Sequence, residues 1–181
     1  MMLPNEPVDS RALKYAMVWH SGTNRKYTGE PYICHPIRVS AIVSVYTEDP
    51  EVRAAAYLHD VLEDCDVTEH DVGGQFGDRV RSMVVALSNM YKGSRAERHR
   101  LYNEQLAASP AEVQTIKLAD TLDNVDRIAV FDSRVAATQI AEKIECLGVA
   151  LTKGHSDLWC RVLRRILGQQ KIVAENSKRV R

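Results

Sequence analysis

The hexapeptide His59-Asp60-Val61-Leu62-Glu63-Asp64 gathers one imidazole and three carboxyl groups within six residues. Read as helix, it sets His59 beneath Glu63 and Asp60 beneath Asp64, because residues four apart share a face. Groups so crowded repel or desolvate one another unless a cation joins them. A second run, Lys117-Leu118-Ala119-Asp120-Thr121-Leu122-Asp123-Asn124, continues to Arg127. Its Asp120, Asp123, Asn124 and Arg127 form one polar stripe at helical spacing between Leu118, Leu122 and Val125, and a carboxylate in an apolar helix requires a partner. A third candidate, His35, stands directly before Pro36, which suits the first turn of a helix. Each group alone also fits a plainer account: a solvated acidic helix end, an exposed polar face, a structural histidine. Together, His35, His59, Asp60 and Asp120 make a mixed nitrogen and oxygen donor set. Such a set suits Mn²⁺, Fe²⁺ or Zn²⁺ better than Mg²⁺ or Ca²⁺, which favour oxygen alone.

The elements that must position these groups read as helices nearly throughout. Ala12, Tyr15, Ala16 and Trp19 recur at helical spacing, and a Gly- and Thr-rich loop follows. Pro36 opens a helix to about Val45. Asp49-Pro50 opens another that runs unbroken to about Asp64. A short helix stops at Gly73-Gly74 or Gly77, and Val80, Met83, Val84 and Leu87 mark the next. Further helices are expected over 95–107, 110–130, 134–152 and 156–170. No alternating strand pattern and no internal repeat occurs. The expected fold is all-α, an irregular multi-helix bundle. It comprises one domain over residues 1–170 and a basic, fraying tail over 171–181.

Composition narrows the function classes. The chain has 181 residues, with 24 Lys and Arg against 24 Asp and Glu. Zero net charge argues against a protein whose main task is holding nucleic acid through phosphate neutralisation. A small anionic ligand needs only a local basic patch. No apolar run approaches a membrane span. The N-terminal MMLPNEPVDS lacks the basic start and apolar stretch of a signal peptide. Cys34, Cys65, Cys146 and Cys160 form no C-x-x-C pair and read as free thiols, so a cytoplasmic location is expected.

The order H…HD…D formed by His35, His59-Asp60 and Asp120 resembles the HD-domain metal-dependent phosphohydrolases. The likeness extends to Arg25-Lys26, Gly29-Glu30-Pro31-Tyr32-Ile33-Cys34-His35-Pro36, Leu58 through Asp64, Phe76-Gly77, Lys117-Leu118-Ala119-Asp120 and Asn124. This ordered set, spanning about residues 10–130, is similar to the hydrolase domain of the RelA/SpoT family, and most of all to its small stand-alone alarmone hydrolases. The resemblance implies Mn²⁺ held by His35, His59, Asp60 and Asp120, with Glu63 and Asp64 positioning and activating water. It further implies removal of the 3′-pyrophosphate from guanosine tetra- or pentaphosphate (ppGpp or pppGpp), leaving GDP or GTP. Arg25 and Lys26 would contact the nucleotide, the arginine against the base. Arg95 is similar in position to a basic residue that faces phosphate, and Asn124 would line the substrate side.

The chain also departs from that pattern. Ala86-Leu87-Ser88-Asn89 replaces a Val-Thr-Lys-like stretch, Thr121-Leu122-Asp123 stands where Arg-Leu-His is common, and Arg127 takes the place of a threonine. These changes fall on the pocket side, while every metal and acid position is kept. They leave open the same chemistry on an adenosine analogue or an NADPH-like nucleotide. A non-catalytic nucleotide sensor, or an interaction protein that neutralises a partner, is the alternative from another class. An antitoxin-like role, removing an alarmone made by a separate synthetase, is compatible with the preferred reading, as is a homo-oligomer.

Overall fold

The computed structural model describes residues 6–26, 28–126, 128 and 133–179, without the side chains of 133, 134 and 177–179. Among the described residues every regular element is a helix, and the one β contact is an isolated antiparallel bridge between Asn24 and Pro31. The all-α expectation holds. No helix among the described residues is long and apolar enough to cross a membrane. The chain divides into two compact units, Met1–Tyr91 and Lys92–Arg181.

The first unit contains α1 (Val8–Trp19), α2 (Cys34–Val43), α3 (Pro50–Leu58), α4 (Val61–Asp64), α5 (Glu69–Phe76) and α6 (Asp78–Leu87). Helix α3 is its centre and packs on α1, α2 and α6. The sequence explains why it can: Ala54, Ala55 and Ala56 are fully buried beside Val52 and Leu58, so three neighbours approach a slim helix closely. Asp49 caps it by accepting the Glu51 N–H at 2.9 Å, with Pro50 at the first position. Arg53 ties it to α1 by donating to Asp9 Oδ2 at 2.9 Å. A capping box between Thr68 and Asp71 starts α5. Gly77, with φ of 90°, ends it, whereas Gly73 and Gly74 stay inside the helix.

The run from Pro50 to Asp64, expected as a single helix, is interrupted. The chain breaks at His59 and Asp60, which end α3 and precede α4. His59 therefore does not stack under Glu63 on a common helix. The His59 ring gives a physical reason: its Nδ1 lies 2.8 Å from the Ala56 carbonyl. That oxygen is the acceptor a continuing helix would offer to the Asp60 N–H.

The second unit contains α7 (Arg95–Ala108), α8 (Ala111–Val125), α9 (Ser133–Val149) and α10 (Ser156–Arg179). Its core is fastened by Gln114, a fully buried carboxamide in α8. Gln114 Nε2 donates to Leu106 O at 2.9 Å, and its Oε1 accepts the Lys153 N–H at 2.7 Å. Beside it the turn before α10 passes so close that a Cβ on Gly154 would lie 2.5 Å from Leu118 Cδ1. Helix α10 was expected to end near 170 but reaches Arg179. Its buried stripe of Leu158, Val162, Ile166, Gln169 and Val173 continues past the polar residues that suggested a fraying end.

Candidate functional site

In the first unit, the break between α3 and α4 aims three of the predicted groups at one point. His59 Nε2 lies 3.0 Å and His35 Nε2 3.5 Å from Asp60 Oδ2. The two imidazoles sit edge to face, 5.1 Å between centroids, and both are buried. The helix expected to open at Pro36 begins two residues earlier, at Cys34, so His35 lies within the first turn of α2, and Pro36, third in that turn, occupies a place where its missing N–H costs no helical hydrogen bond. Gly29, with φ of 69°, and the Arg38–Glu30 ion pair at 2.7 Å shape the loop before it.

The tautomer of His59 sharpens the chemistry. A carbonyl only accepts, so Nδ1 carries a proton toward Ala56 and the neutral ring keeps its lone pair on Nε2. A lone pair 3.0 Å from a carboxylate oxygen requires a proton or a cation between the two atoms. The spacing suits two donors on one ion, since ligands each about 2.1 Å from a metal at right angles are about 3 Å apart. The donor set therefore fits a divalent ion with borderline preferences.

Sequence reading missed the support around these donors. Tyr32, quoted above only as part of a motif, donates its hydroxyl to Asp60 Oδ2 at 2.7 Å. Burial, reinforced by the Asp60 carboxylate, raises its pKa far above the usual phenol range, so it remains a donor. Its position three residues before His35 was the available signal. His20 stacks on the Tyr32 ring with centroids 4.7 Å apart and places Nδ1 3.5 Å from Cys65 Sγ. Burial lowers the His20 pKa despite the opposing charges of Asp60 and Asp64. Burial also pushes the Cys65 thiol up to about 11, with Asp64 and Asp60 acting in the same direction. Cys65 is therefore protonated at neutral pH.

Glu63 and Asp64 lie exposed on the single turn of α4. Glu63 Oε1 accepts the Asn89 N–H at 2.9 Å, so the altered 86–89 stretch touches the predicted acid couple directly. Arg25 is half-buried, with its guanidinium carbon 5.9 Å from the Tyr32 ring centroid. Lys26 is exposed.

In the second unit, Asp120 is buried midway along α8. Lys117 Nζ lies 2.7 Å from its Oδ2, and Asn124 Nδ2 donates to its Oδ1 at 2.5 Å. The predicted pairing of Asp120 with Asn124 on one stripe is thus present, while Arg127 falls outside the described residues. Burial acts to lower the Lys117 pKa, but the Asp120 carboxylate outweighs it and the ammonium is held well above its ordinary value. Arg95 is engaged elsewhere, donating from Nε and Nη2 to Glu142 at 2.6 and 2.8 Å.

An ordered run of histidines and aspartates on an all-helical frame defines a class. The chain belongs to the HD-domain family, whose model, described as HD domain, matches residues 12–149. Its relatives narrow that class. The chain is 39% identical over 125 residues to the guanosine-3′,5′-bis(diphosphate) 3′-pyrophosphohydrolase of Aquifex aeolicus, an alignment covering 67% of this chain and 18% of that protein. The chain thus spans under a fifth of the length of that long relative. It is 40% identical over 121 residues to the Drosophila melanogaster guanosine-3′,5′-bis(diphosphate) 3′-pyrophosphohydrolase MESH1, covering 65% of this chain and 68% of that one. A solved metazoan ortholog of SpoT, described as hydrolyzing ppGpp and playing a role in starvation responses, matches with a TM-score of 0.83. Its identity is 29% over 95% of this chain and 99% of that chain.

Proposed function

We propose that this chain is a divalent-metal-dependent hydrolase of guanosine 3′-polyphosphates, converting ppGpp or pppGpp to GDP or GTP and pyrophosphate. The observation that carries the reading is the convergence of His35 and His59 on Asp60 Oδ2. Support for the substrate comes from the relatives named for this reaction. Asp120 is the proposed fourth ligand, a buried carboxylate of the same donor chemistry. Mn²⁺ is the proposed ion, with Fe²⁺ and Zn²⁺ compatible with the same donors. When bound, such an ion lowers the pKa of water and offsets charge on phosphoryl oxygens.

The protein's own groups supply the rest. Tyr32 holds Asp60 by its 2.7 Å hydrogen bond, and the Ala56 carbonyl fixes the His59 ring so that Nε2 serves as the donor. Glu63 and Asp64 are solvent-accessible carboxylates one turn beyond the ligand pair, and one of them takes the proton from the attacking water. Arg25 and Lys26 bind the nucleotide, Arg25 flat against the base. Asn124 steadies Asp120 and faces substrate. Arg95 contributes to phosphate binding only by releasing Glu142. The reaction is assigned to the cytoplasm.

The test is direct. Purified protein with Mn²⁺ and ppGpp is expected to release pyrophosphate, and absence of release defeats the reading. A nucleotide panel addresses the second reading, an adenosine or NADPH-like substrate. That reading is favoured by the contact of Asn89, in the altered stretch, with Glu63. Exclusive turnover of the guanosine compounds removes it.

A further inference from the structure

The backbone N–H of Asn89 leaves the helix before it and serves a side chain of another element. Helix α6 ends at Leu87, and Ser88 closes it, donating its hydroxyl to Val84 O at 2.8 Å and its N–H to Val85 O at 3.2 Å. Ser88 then turns extended, with φ of −89° and ψ of 128°. That turn takes the next N–H off the helical ladder, where the Val85 carbonyl would be its acceptor. It donates instead to Glu63 Oε1 at 2.9 Å.

The two ends of this hydrogen bond are held with different firmness. Leu87 and Ser88 are each 2% exposed, so the donor is anchored in the core of the first unit. Glu63 is exposed and stands on the four-residue α4. A glutamate in such a place has rotamer freedom to lose, and a proton acceptor needs geometry before basicity. Position therefore passes from the end of α6 to the carboxylate, through a hydrogen bond strengthened by the charge of its acceptor. The Asn89 side chain offers no stabilising reason for the residue. Its Oδ1 is buried with no hydrogen-bond partner among the described residues, which costs stability. Any residue except proline would supply the same N–H, so this contact tolerates the departure of residues 86–89 from the family pattern.

We propose that Asn89 is a positioning residue for the hydrolytic step, its main-chain N–H holding the Glu63 carboxylate in place for the attacking water. The inference rests on the hydrolase reading above and adds a group that acts through the backbone, which no side-chain motif records.

The experiment compares the wild type, N89P, N89A, E63A and N89P/E63A by ppGpp kinetics with Mn²⁺, bound metal and Tm. Proline deletes the N–H, and Ser88 already has the extended conformation that a following proline demands. N89P should lower kcat about 10- to 100-fold, the scale of a small misplacement of a reacting group, with KM and bound metal little changed. N89A keeps the N–H and should retain most of the rate. In the E63A background N89P should cost less than about threefold, because the carboxylate it positions has gone. Wild-type kcat in N89P overturns the proposal. A loss of equal size in both backgrounds also overturns it, since a distorted fold slows both alike, and so does an N89A as slow as N89P. Where N89P does not fold, amide hydrogen exchange decides: the Asn89 N–H should exchange about tenfold faster in E63A than in the wild type, and equal rates overturn the proposal. Each of these reversals leaves the hydrolase reading intact, because the wild type still turns over ppGpp. A wild type that turns over no nucleotide defeats that reading and the positioning role together.

Discussion

The two units treat their key carboxylates in opposite ways. Asp60 in the first unit faces two imidazole nitrogens and a phenol, and the neighbouring Glu63 and Asp64 add only negative charge. Asp120 in the second unit lies between an ammonium and a carboxamide of its own helix. The backbone differs in the same sense. Asp60 stands at a break between helices, whereas Asp120 is set within an unbroken 15-residue helix. The first arrangement is electrostatically incomplete until a cation joins it. The second holds its carboxylate compensated at all times. Metal removal should therefore be felt chiefly in the first unit.

The largest expected effects test that asymmetry. H59A and D60N should lose bound Mn²⁺ and all detectable turnover. The E63Q/D64N double variant should lose about 10²- to 10⁴-fold in rate while keeping its metal. Metal analysis beside kinetics separates the two. If E63Q/D64N loses metal as H59A does, the acid couple belongs among the ligands instead. Metal in hundredfold excess over its Kd should stabilise the wild type by about 2.7 kcal/mol and H59A by nothing. A Tm shift retained in H59A would move the ion away from the α3–α4 break.

A smaller effect belongs to the groups behind the ligands. Y32F deletes the hydroxyl that donates to Asp60 Oδ2 and leaves the ring stacked on His20. Metal affinity should fall about 10- to 100-fold, the usual consequence of losing a supporting hydrogen bond at a metal site. Competition with a chelator measures it. Unaltered affinity would show that Asp60 is held by its imidazole neighbours alone.

How far the sequence could be read also differs between the units. Apolar spacing was enough for the long helices, because their buried stripes are regular: Val80, Met83, Val84 and Leu87 lie inside as expected. His35, His59 and Asp60 were legible as ligands because of their residue types and order. The break that makes them converge was not, since His-Asp-Val-Leu contains neither glycine nor proline and the interruption depends on a ring nitrogen turning back to Ala56. The end of α10 was misjudged because Gly168 and the polar residues after it obscured a stripe that continues to Val173.

The second unit offers stability tests that leave the first unit's ligands alone. G154A would drive a methyl group against Leu118 and the Gln114 backbone, and overpacking of this kind costs about 1–3 kcal/mol. Q114L would leave the Leu106 carbonyl and the Lys153 N–H without their buried partner, at about 1–3 kcal/mol. Denaturant unfolding measures both. Because α8 carries Asp120, each variant should lose turnover in step with folded fraction, with no separate change in KM.

The smallest effect concerns Arg95, where a surface tether and a phosphate ligand make different forecasts. Its guanidinium is 61% exposed and bound at both ends to Glu142. Hydrogen bonds from Arg95 hold the Glu142 carboxyl below the usual glutamate range, against a smaller opposing effect of burial. A carboxyl lowered in the folded state contributes stability that is complete above its unfolded pKa, about 4.3, and that fades as pH falls through the folded value. R95A should therefore destabilise by under about 1 kcal/mol at pH 7, and the difference from wild type should begin to shrink below the ordinary glutamate value and be gone once pH has passed the lower folded one. KM for ppGpp should hardly move. A rise of tenfold or more with stability unaffected would mean that substrate displaces Glu142 from Arg95 and that the arginine binds phosphate after all.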